Sequence, residues 1–278
     1  MPHALHDVLA DLAPLDGAFS PIVRLGKSPA SSLSLAGISS DSARRLMADA
    51  ILDEPGGDEK LAAAYLIGTV SWSLCEPLAG LALRGLWLEG AKPDAISLSQ
   101  RFAHWEEDGE KGVSLAFDLN INESAIVFAD LPATQGFAAT LEQLHQPLIQ
   151  TLHRISGLSQ AALWRLVSDS MASAFLEQGT AIGQAESAID HARMILRDRR
   201  SKLCNKQTGF EWITLPEAPD IGDWMRVRGG CCRYYTAPAD DVDYCTTCVL
   251  RSAGSRRERY RDYLRRTKTL GNDEVFQS

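Results

Sequence analysis

The sequence lacks the short glycine motifs that bind nucleotides, and it lacks a long apolar run. Neither GxGxxG nor GxxxxGK[ST] occurs, so nothing in it predicts binding of NAD(P) or ATP. The longest uncharged apolar run, Leu61–Cys75, has 15 residues, whereas a membrane-spanning helix needs about 20. The first residues form neither the basic nor the apolar stretch of a secretory signal. We therefore expect a cytoplasmic protein with no transmembrane segment and with a buried core helix at 61–75.

Basic residues are also fewer than acidic residues. The 28 Lys and Arg residues stand against 36 Asp and Glu residues, which gives a net charge of −8 and argues against a nucleic-acid partner. The apolar share of 45% and the charged share of 23% are those of an ordinary globular protein. The charge is uneven, because residues 251–278 hold eight Lys and Arg but only four Asp and Glu. A basic end on an acidic body predicts a specific partner for that end.

Two periodicities predict the secondary structure. Apolar residues recur at spacings of three and four over several stretches, which is typical of helices packed on a core. These stretches are 40–53, 58–75, 77–88, 141–155, 159–178 and 184–200. Pro77 is expected to begin the third of them, and Pro147 to begin a new helix or to kink one.

Between the two helical blocks the periodicity changes to two. Apolar and polar residues alternate over 96–102 and again over 113–119, on either side of a turn that contains glycine. This pattern predicts an antiparallel hairpin with one buried face, and residues 125–129 predict a third strand. Because strands and helices fall in separate blocks, the predicted fold class is α+β, with helices around a small antiparallel sheet.

The composition changes near residue 205, after which Gly, Pro and Trp become frequent. We place a domain boundary there, between an N-terminal α+β domain at 1–205 and a small C-terminal module at 206–278. The module ends in a predicted helix, SRRERYRDYLRR, in which Ser255 and Glu258 fit a capping box. The arginines of this helix are expected to face outward.

Four of the six cysteines lie in the C-terminal module and predict a metal centre. The adjacent pair Cys231–Cys232 is followed, after twelve residues, by Cys245–x–x–Cys248. A C-x-x-C turn directs two sulfurs to one centre, and cytoplasmic thiols stay reduced, so metal ligation explains the cluster better than disulfides. Cys75 is expected to be a small core residue, and Cys204 a spare thiol.

The adjacent pair is the unusual part of this pattern. Neighbouring side chains of an extended strand point to opposite faces, so the backbone must bend for both sulfurs to reach one centre. Gly229 and Gly230 are expected to allow that bend through positive φ. Structural zinc sites usually use two spaced pairs, whereas a [2Fe–2S] cluster has two irons, so that neighbouring sulfurs need not crowd one metal. On spacing alone, both the iron–sulfur and the zinc interpretations stay open.

The cysteine segment resembles the C-terminal signature of the FhuF-like siderophore-iron reductases, over about 20 residues. The matching positions are Cys231, Cys232, Cys245, Cys248, Tyr235 and Leu250. The twelve-residue spacer is slightly longer than the family's form, which we interpret as a loop insertion. The resemblance implies that these four cysteines hold an unusual [2Fe–2S] cluster.

The resemblance also implies a function. It predicts a cytoplasmic oxidoreductase that passes one electron to a ferric siderophore, notably of hydroxamate type, and releases Fe(II), with no catalytic residue beyond the cluster ligands. The N-terminal domain would shape the substrate pocket. Since no nucleotide motif is present, the electron would come from an external donor: a ferredoxin, a flavodoxin or a flavin reductase. Two alternatives stay open, a zinc-stapled binding module without redox activity and an electron carrier.

Residues near the cysteines are candidates for contact with the chelate or the donor. The cationic and aromatic candidates for substrate binding are Trp224, Arg226, Arg228, Arg233 and Tyr235. Opposite charge accelerates encounter, so the basic C-terminal helix is a candidate for docking an acidic donor. Its candidate residues are Arg256, Arg257, Arg261 and Arg265.

Overall fold

The computed structural model describes residues 18–88, 95–107, 110–122, 126–128, 134–238 and 243–269. Its helices are α1 (Ser40–Ala50), α2 (Glu59–Leu83), α3 (Thr134–Ser156), α4 (Gln160–Ala181), α5 (Ala185–Arg197) and α6 (Ala253–Leu264). Its strands are β1 (Val23–Leu25), β2 (Leu86–Leu88), β3 (Ile96–Glu107), β4 (Glu110–Ile121), β5 (Ile126–Phe128), β6 (Gly209–Leu215) and β7 (Ala218–Val227). The fold class is α+β, as the sequence predicts, with helices packed around small and mainly antiparallel sheets.

Helix α2 forms the centre of the larger hydrophobic core. The Asp58 carboxylate caps its first turn by accepting a hydrogen bond from the Leu61 N–H at 2.7 Å. Apolar residues cover α2 on all sides, which is the pattern of a helix enclosed by its neighbours. In the described part of the chain α2 is the one helix long and apolar enough to cross a membrane, and 72% of its apolar window is buried inside the fold. The core helix predicted at 61–75 is therefore present, within a longer helix.

Within the described residues, two prolines lie inside helices. The prediction that Pro77 begins a helix is wrong, because α2 continues through it, and Pro147 likewise lies within α3. A proline inside a helix removes a backbone hydrogen bond and costs about 3 kcal/mol. Leu74 and Leu78 flank Pro77 and are buried in the core. Each buried leucine contributes about 1.5–3 kcal/mol, which offsets that cost.

Helix α4 links the core to the rest of the molecule. It makes the most extensive helix–helix contact of α2, through fully buried residues such as Leu163, Val167 and Met171. On another side it packs against α5, where a Cβ on Gly179 would lie 2.3 Å from the Ala188 Cβ. The closeness of this crossing requires glycine. The side of α4 that faces neither helix is free to contact the C-terminal module.

Strands β3 and β4 form the predicted antiparallel hairpin, and the predicted third strand is β5, which pairs with β2 instead of the hairpin. The prediction of one buried face is only partly right. Phe102 is 45% exposed, whereas Asp118 and Asn120 on the predicted polar face are buried. Strand β1 pairs parallel to β4 beside them. Asp118 there forms ion pairs with Arg24 at 2.7 Å and with Arg101 at 2.9 Å, so this face is covered by the segment around β1.

The C-terminal module is built on a hairpin that the sequence analysis did not predict. Strands β6 and β7 pair in antiparallel register around the two-residue turn at 216–217. One face of the hairpin packs against α6 and forms a second, small hydrophobic cluster. Its buried members are Ile213, Leu215, Met225 and Leu264. The domain boundary near residue 205 stays a prediction.

The N-cap of helix α6 lies three residues before the predicted one. The Ser252 side chain accepts a hydrogen bond from the Ser255 N–H at 3.2 Å, so Ser252 is the N-cap. The predicted capping box of Ser255 and Glu258 is therefore wrong, because Ser255 already lies in the first turn. Glu258 instead forms ion pairs with Arg261 and Arg265, both at 3.2 Å.

Candidate metal centre

The cysteine cluster lies just beyond the end of β7. Cys231 and Cys232 follow that strand, and Cys245 and Cys248 share a turn in which the Cys248 N–H donates to the Cys245 carbonyl at 3.0 Å. The Cys232 and Cys245 sulfurs lie close enough together for one guanidinium, that of Arg228, to approach both at 3.6 Å. The structure thus brings one cysteine of each pair, Cys232 and Cys245, to the same place.

Gly229 and Gly230 serve the site in a different way from the predicted one. Neither has positive φ, so the prediction of a bend made by left-handed glycines is wrong. A Cβ on Gly229 would lie 2.5 Å from Asn205 Nδ2, and a Cβ on Gly230 would lie 3.0 Å from the Arg165 backbone in α4. Glycine is required here because this segment runs directly against other parts of the chain.

The left-handed residue of this segment is Arg233, with φ of 64°. This conformation turns the backbone after the cysteine pair, and the Arg233 N–H points to the Cys231 sulfur at 3.4 Å. The Arg233 guanidinium reaches the Asp58 carboxylate at 3.1 Å, at the beginning of α2. Arg233 therefore connects the cysteine loop to the N-terminal part of the fold. Residues 239–242, in the spacer between the cysteine pairs, lie outside the described residues.

A buried carboxylate on α4 holds the segment before the cysteines. Asp169 is 2% exposed. Its Oδ1 accepts hydrogen bonds from the Gly229 N–H at 2.8 Å and the Thr208 hydroxyl at 2.7 Å, and its Oδ2 accepts from the Gly230 N–H at 2.9 Å. The Arg228 Nε lies 3.5 Å from the same Oδ2. Asp169 was not among the predicted site residues, because no local pattern links a residue of an apolar helix to a loop 60 residues away.

Arg228 lies between this carboxylate and two of the sulfurs. Its Nη1 is 3.6 Å from both Cys232 Sγ and Cys245 Sγ. Burial opposes its charge, but the negative charges of Cys232 and Asp169 outweigh burial and hold the pKa of Arg228 above its ordinary value. The hydrogen bond from Cys245, together with the Arg228 cation, lowers the pKa of the Cys232 thiol. The site therefore favours a thiolate at Cys232.

The donor set decides which metals the residues fit. Thiolates suit zinc, copper(I) and iron–sulfur clusters, and N–H groups aimed at the sulfurs, such as those of Arg228 and Arg233, are a usual outer shell of such centres. Among the residues that the structure describes, no group of three or more His, Cys, Asp or Glu is arranged to hold one metal ion. The chemistry of the four sulfurs fits a metal–thiolate centre, and the identity of the metal stays a prediction.

The predicted substrate-binding residues do not all come together. Arg226 lies near Arg228, and its Nη1 donates to a backbone carbonyl of α4 at 3.3 Å. Trp224 packs elsewhere: its ring meets Trp212 edge-to-face at 5.5 Å between centroids and lies 5.8 Å from the Arg193 guanidinium. Of these two predicted substrate-binding residues, Arg226 lies beside the cysteine loop, whereas Trp224 lies against α5.

Tyr235 lies on the exposed side of the cysteine turn. It is 40% exposed and packs edge-to-face on Tyr244, with 5.6 Å between the ring centroids. Arg251 lies over the Tyr244 ring and donates through Nε to the Cys245 carbonyl at 3.0 Å. These contacts hold the turn of the second cysteine pair and leave the two tyrosine rings in part accessible to solvent.

A cleft adjoins the cysteines on the side of α2 and α4. It consists of a near cavity of about 320 Å³ beside the cysteines and a far cavity of about 530 Å³ beside β4. The residues that line both cavities are Tyr65, Gly68, Thr69, Trp72 and Ser173. The near cavity ends at Cys232, Arg226 and Arg228. A substrate pocket in the N-terminal domain is a prediction of the sequence, but none of these lining residues on α2 and α4 was predicted.

The predicted donor-docking arginines of α6 make contacts within the chain. Their partners are Glu211 for Arg257, the Thr214 carbonyl for Arg261, Glu217 for Arg265, and the Cys248 and Arg251 carbonyls for Arg256. The expectation that these arginines face outward is only partly right: Arg257 is exposed, but several of the arginines also tie α6 to β6, to the turn and to the cysteine loop. Whether α6 also docks a donor stays a prediction.

Comparison of the chain with models of protein families, with characterised proteins and with solved structures found no match. The resemblance of the cysteine segment to the FhuF-like reductases therefore stays a prediction.

Proposed function

We propose that this protein is an oxidoreductase that reduces a ferric siderophore by one electron, and that its four clustered cysteines hold a [2Fe–2S] cluster. The observation that carries the proposal is the position of Cys232, which forms part of the wall of a cleft of ligand-binding size. The ligands of the cluster would be Cys231, Cys232, Cys245 and Cys248. When bound, such a cluster supplies a single electron at low potential.

The residues around the cysteines would prepare them for this role. Arg228 places a buried cation beside two sulfurs, and a cation there stabilises the more negative, reduced state. Asp169 fixes both Arg228 and the backbone that leads into the cysteine pair. Together these contacts position the segment that leads to Cys232 beside the cleft.

One electron is sufficient to release the iron. Hydroxamate oxygens are hard donors, and they hold Fe(III) far more tightly than Fe(II). The external donor loses one electron, the substrate iron gains it, and the freed hydroxamates take up protons from water. We propose a ferredoxin, a flavodoxin or a flavin reductase as the donor, because the sequence has no motif for NAD(P).

The cofactor is tested by composition and by substitution. Anaerobically purified protein should contain about two irons and two acid-labile sulfides per chain, with a red-brown colour. Serine at Cys232 or Cys245 should lose or shift the visible spectrum. Cys204→Ser is the matched control, since Cys204 lies in the segment before β6, outside the cluster, and it should leave the spectrum unchanged. One zinc per chain without labile sulfide would contradict the proposed cofactor and favour a zinc-stapled module.

The activity is tested by reoxidation. The protein is reduced under anaerobic conditions and mixed with a ferric trihydroxamate, while an Fe(II)-specific dye records release. Reoxidation at a rate that depends on chelate concentration, with one Fe(II) formed per electron, supports the proposal. A reduced protein that several ferric chelates fail to oxidise, but that an electron-carrier protein oxidises rapidly, would instead be an electron carrier.

A further inference from the structure

We infer that the cleft between α2, α4 and β4 is the binding site of the chelate, and that it selects chelates of low net charge through apolar and aromatic contacts. This inference rests on the proposed function and supplies its substrate site. Three features of the cleft support the inference: the residues of its walls, its charge, and its end beside Cys232.

Apolar atoms form most of the wall surface of the far cavity, although serine and threonine hydroxyls also line it. Leu115 and Ala116 of β4 line one side, and the half-buried rings of Tyr65 and Trp72 line the side formed by α2. Phe19, which is 41% exposed, extends this surface. Mainly apolar walls that include some polar groups are typical of small-molecule sites, and large rings offer a rigid contact face. A ligand here would be held mainly by its carbon framework.

The charge of the far cavity excludes strongly anionic ligands. Its charged lining residues, within the part of the chain that the structure describes, are Asp53 and Glu177, and no Lys, Arg or His lines it. Asp53 accepts a hydrogen bond from the Ser114 hydroxyl at 2.6 Å. Three hydroxamates neutralise Fe(III), whereas three catecholates leave a charge of −3 on the complex. The second kind of chelate would meet two carboxylates in this cavity, where the described residues place no cation in the wall.

Two cations, Arg226 and Arg228, line the near cavity, but both already contact other groups of the chain. Arg228 lies between Asp169 and two sulfurs, and Arg226 donates to a carbonyl of α4. Their charges are balanced by the cysteine sulfurs and by Asp169, so this end is not a receptor for an anion. The end of the cleft brings a bound chelate beside Cys232, which lines the near cavity.

Gly68 gives a way to block the cleft without breaking the fold. It lies on α2, it lines both cavities, and a Cβ built on it meets nothing within 4 Å. A leucine at this position would project into the empty cleft, and it is a better helix former than glycine. Gly254→Leu is the matched control, since Gly254 lies in α6, lines neither cavity and also has open space around its Cβ.

The experiment measures binding of redox-inert gallium(III) chelates to the metal-loaded protein by calorimetry. An uncharged gallium trihydroxamate should bind the parent and Gly254→Leu equally. Its affinity should fall at least about tenfold in both Gly68→Leu and Trp72→Ala. The first variant fills space that the ligand needs, and the second removes a ring that the ligand would contact. Trp212→Ala, at an exposed ring outside the cleft, should bind like the parent. A trianionic gallium tris-catecholate should bind the parent at least about tenfold more weakly than the neutral chelate.

The outcomes separate the inference from the proposed function. If the neutral chelate binds Gly68→Leu as tightly as the parent, with unchanged circular dichroism and cluster spectrum, the chelate binds elsewhere and the cleft assignment is overturned. If the tris-catecholate binds as tightly as the neutral chelate, the selection by charge is overturned. If the parent binds no chelate and none reoxidises it, the proposed function fails together with the site.

Discussion

The two hydrophobic clusters formed by the described residues are stabilised in different ways. The larger one extends over 35–203, encloses α2 on every side and is almost entirely apolar. The smaller one, in the C-terminal module, has four buried members and is supplemented by arginine contacts from α6 to the β6–β7 hairpin. A core of that size cannot by itself offset the conformational entropy of the module. The region that carries the cysteines therefore depends on polar contacts with α4 and, under our proposal, on its metal.

The strongest test of this difference is Asp169→Ala. The change removes a buried acceptor shared by Gly229, Gly230 and Thr208 and leaves the Arg228 charge without its partner. We expect a loss of about 3–5 kcal/mol in the free energy of unfolding of the C-terminal module. Hydrogen exchange should show that β6, β7 and the cysteine loop lose protection while α2 keeps it.

The control for this variant is Asp198→Ala. Asp198 pairs with Arg200, whose side chain is 76% exposed, so its loss should leave the denaturation midpoint almost unchanged. Equal loss of protection in α2 and in the module of Asp169→Ala would mean that the two regions unfold as one unit. An unchanged denaturation midpoint would mean that the Asp169 contacts contribute little.

The larger core has its own sensitivity, which is to acid. His145 is fully buried; its Nδ1 lies 2.7 Å from the Leu141 carbonyl and its Nε2 lies 3.1 Å from the Ser71 hydroxyl. Burial lowers the pKa of His145 from 6.5 to about 4, against the effect of the bond to Leu141. The unfolded chain then binds more protons between these values, so this stabilisation is complete above pH 6.5 and is lost as the pH falls to 4.

We expect this site to cost about 3 kcal/mol of stability between pH 7 and pH 4. His145→Gln should be less stable at pH 7 but should show a flatter decline on acidification, measured by urea unfolding at a series of pH values. His153→Gln, at an exposed histidine on the same helix, should keep the slope of the parent. The same slope in His145→Gln would show that another group causes the acid sensitivity.

Local patterns were sufficient for the larger core and insufficient for the cleft and the cysteine loop. The helical spacing of apolar residues and the alternation around 106–112 depend on nearby residues only, and the structure confirms the predicted α+β fold. The prediction at Pro77 is wrong because the tendency of proline to break a helix is local. In the structure it is outweighed by burial of α2 against residues that are distant in the sequence. The β6–β7 hairpin was missed, although Ile213 and Leu215 alternate with polar or exposed neighbours around a turn with proline, a signal that could have revealed it.

The functional residues divide in the same way. The cysteines are found by their spacing, because their ligand geometry is local within each pair. Asp169, Tyr65 and Trp72 reach the site through packing between α2, α4 and the module, so their roles depend on the tertiary fold. No spacing rule within one sequence predicts such contacts.

The smallest expected effect lies within the C-terminal module, at Arg257. The pair between Arg257 and Glu211 is on the surface, with side-chain exposures of 45% and 31%. Arg257→Gln should change the free energy of unfolding by at most about 1 kcal/mol. If α6 docks an acidic donor, the variant should slow reduction by that donor and weaken its dependence on salt. Arg266→Gln removes the same positive charge at an exposed position outside the hairpin contact. It therefore separates the effect of charge on docking from the effect of the Arg257–Glu211 pair on stability.

The rate comparison for these variants has two informative outcomes. A rate and a salt dependence like those of the parent in both variants would limit α6 to its structural contacts. A large loss of stability in Arg257→Gln would show that the C-terminal module depends on its surface ion pairs more than its buried residues indicate.

The hydrogen bonds from Gly229 and Gly230 to Asp169 have a consequence for biogenesis. Their acceptor leaves the ribosome about sixty residues before their donors, and chains fold from the N-terminus during synthesis. We therefore expect α4 to be docked on α2 before the first cysteine pair emerges. The segment that carries the thiols could then dock on the folded α4 as soon as it emerges. This would shorten the time in which the thiols are exposed to stray metals and oxidants. Machinery that delivers a metal cofactor would accordingly encounter a nascent protein whose larger part is already folded.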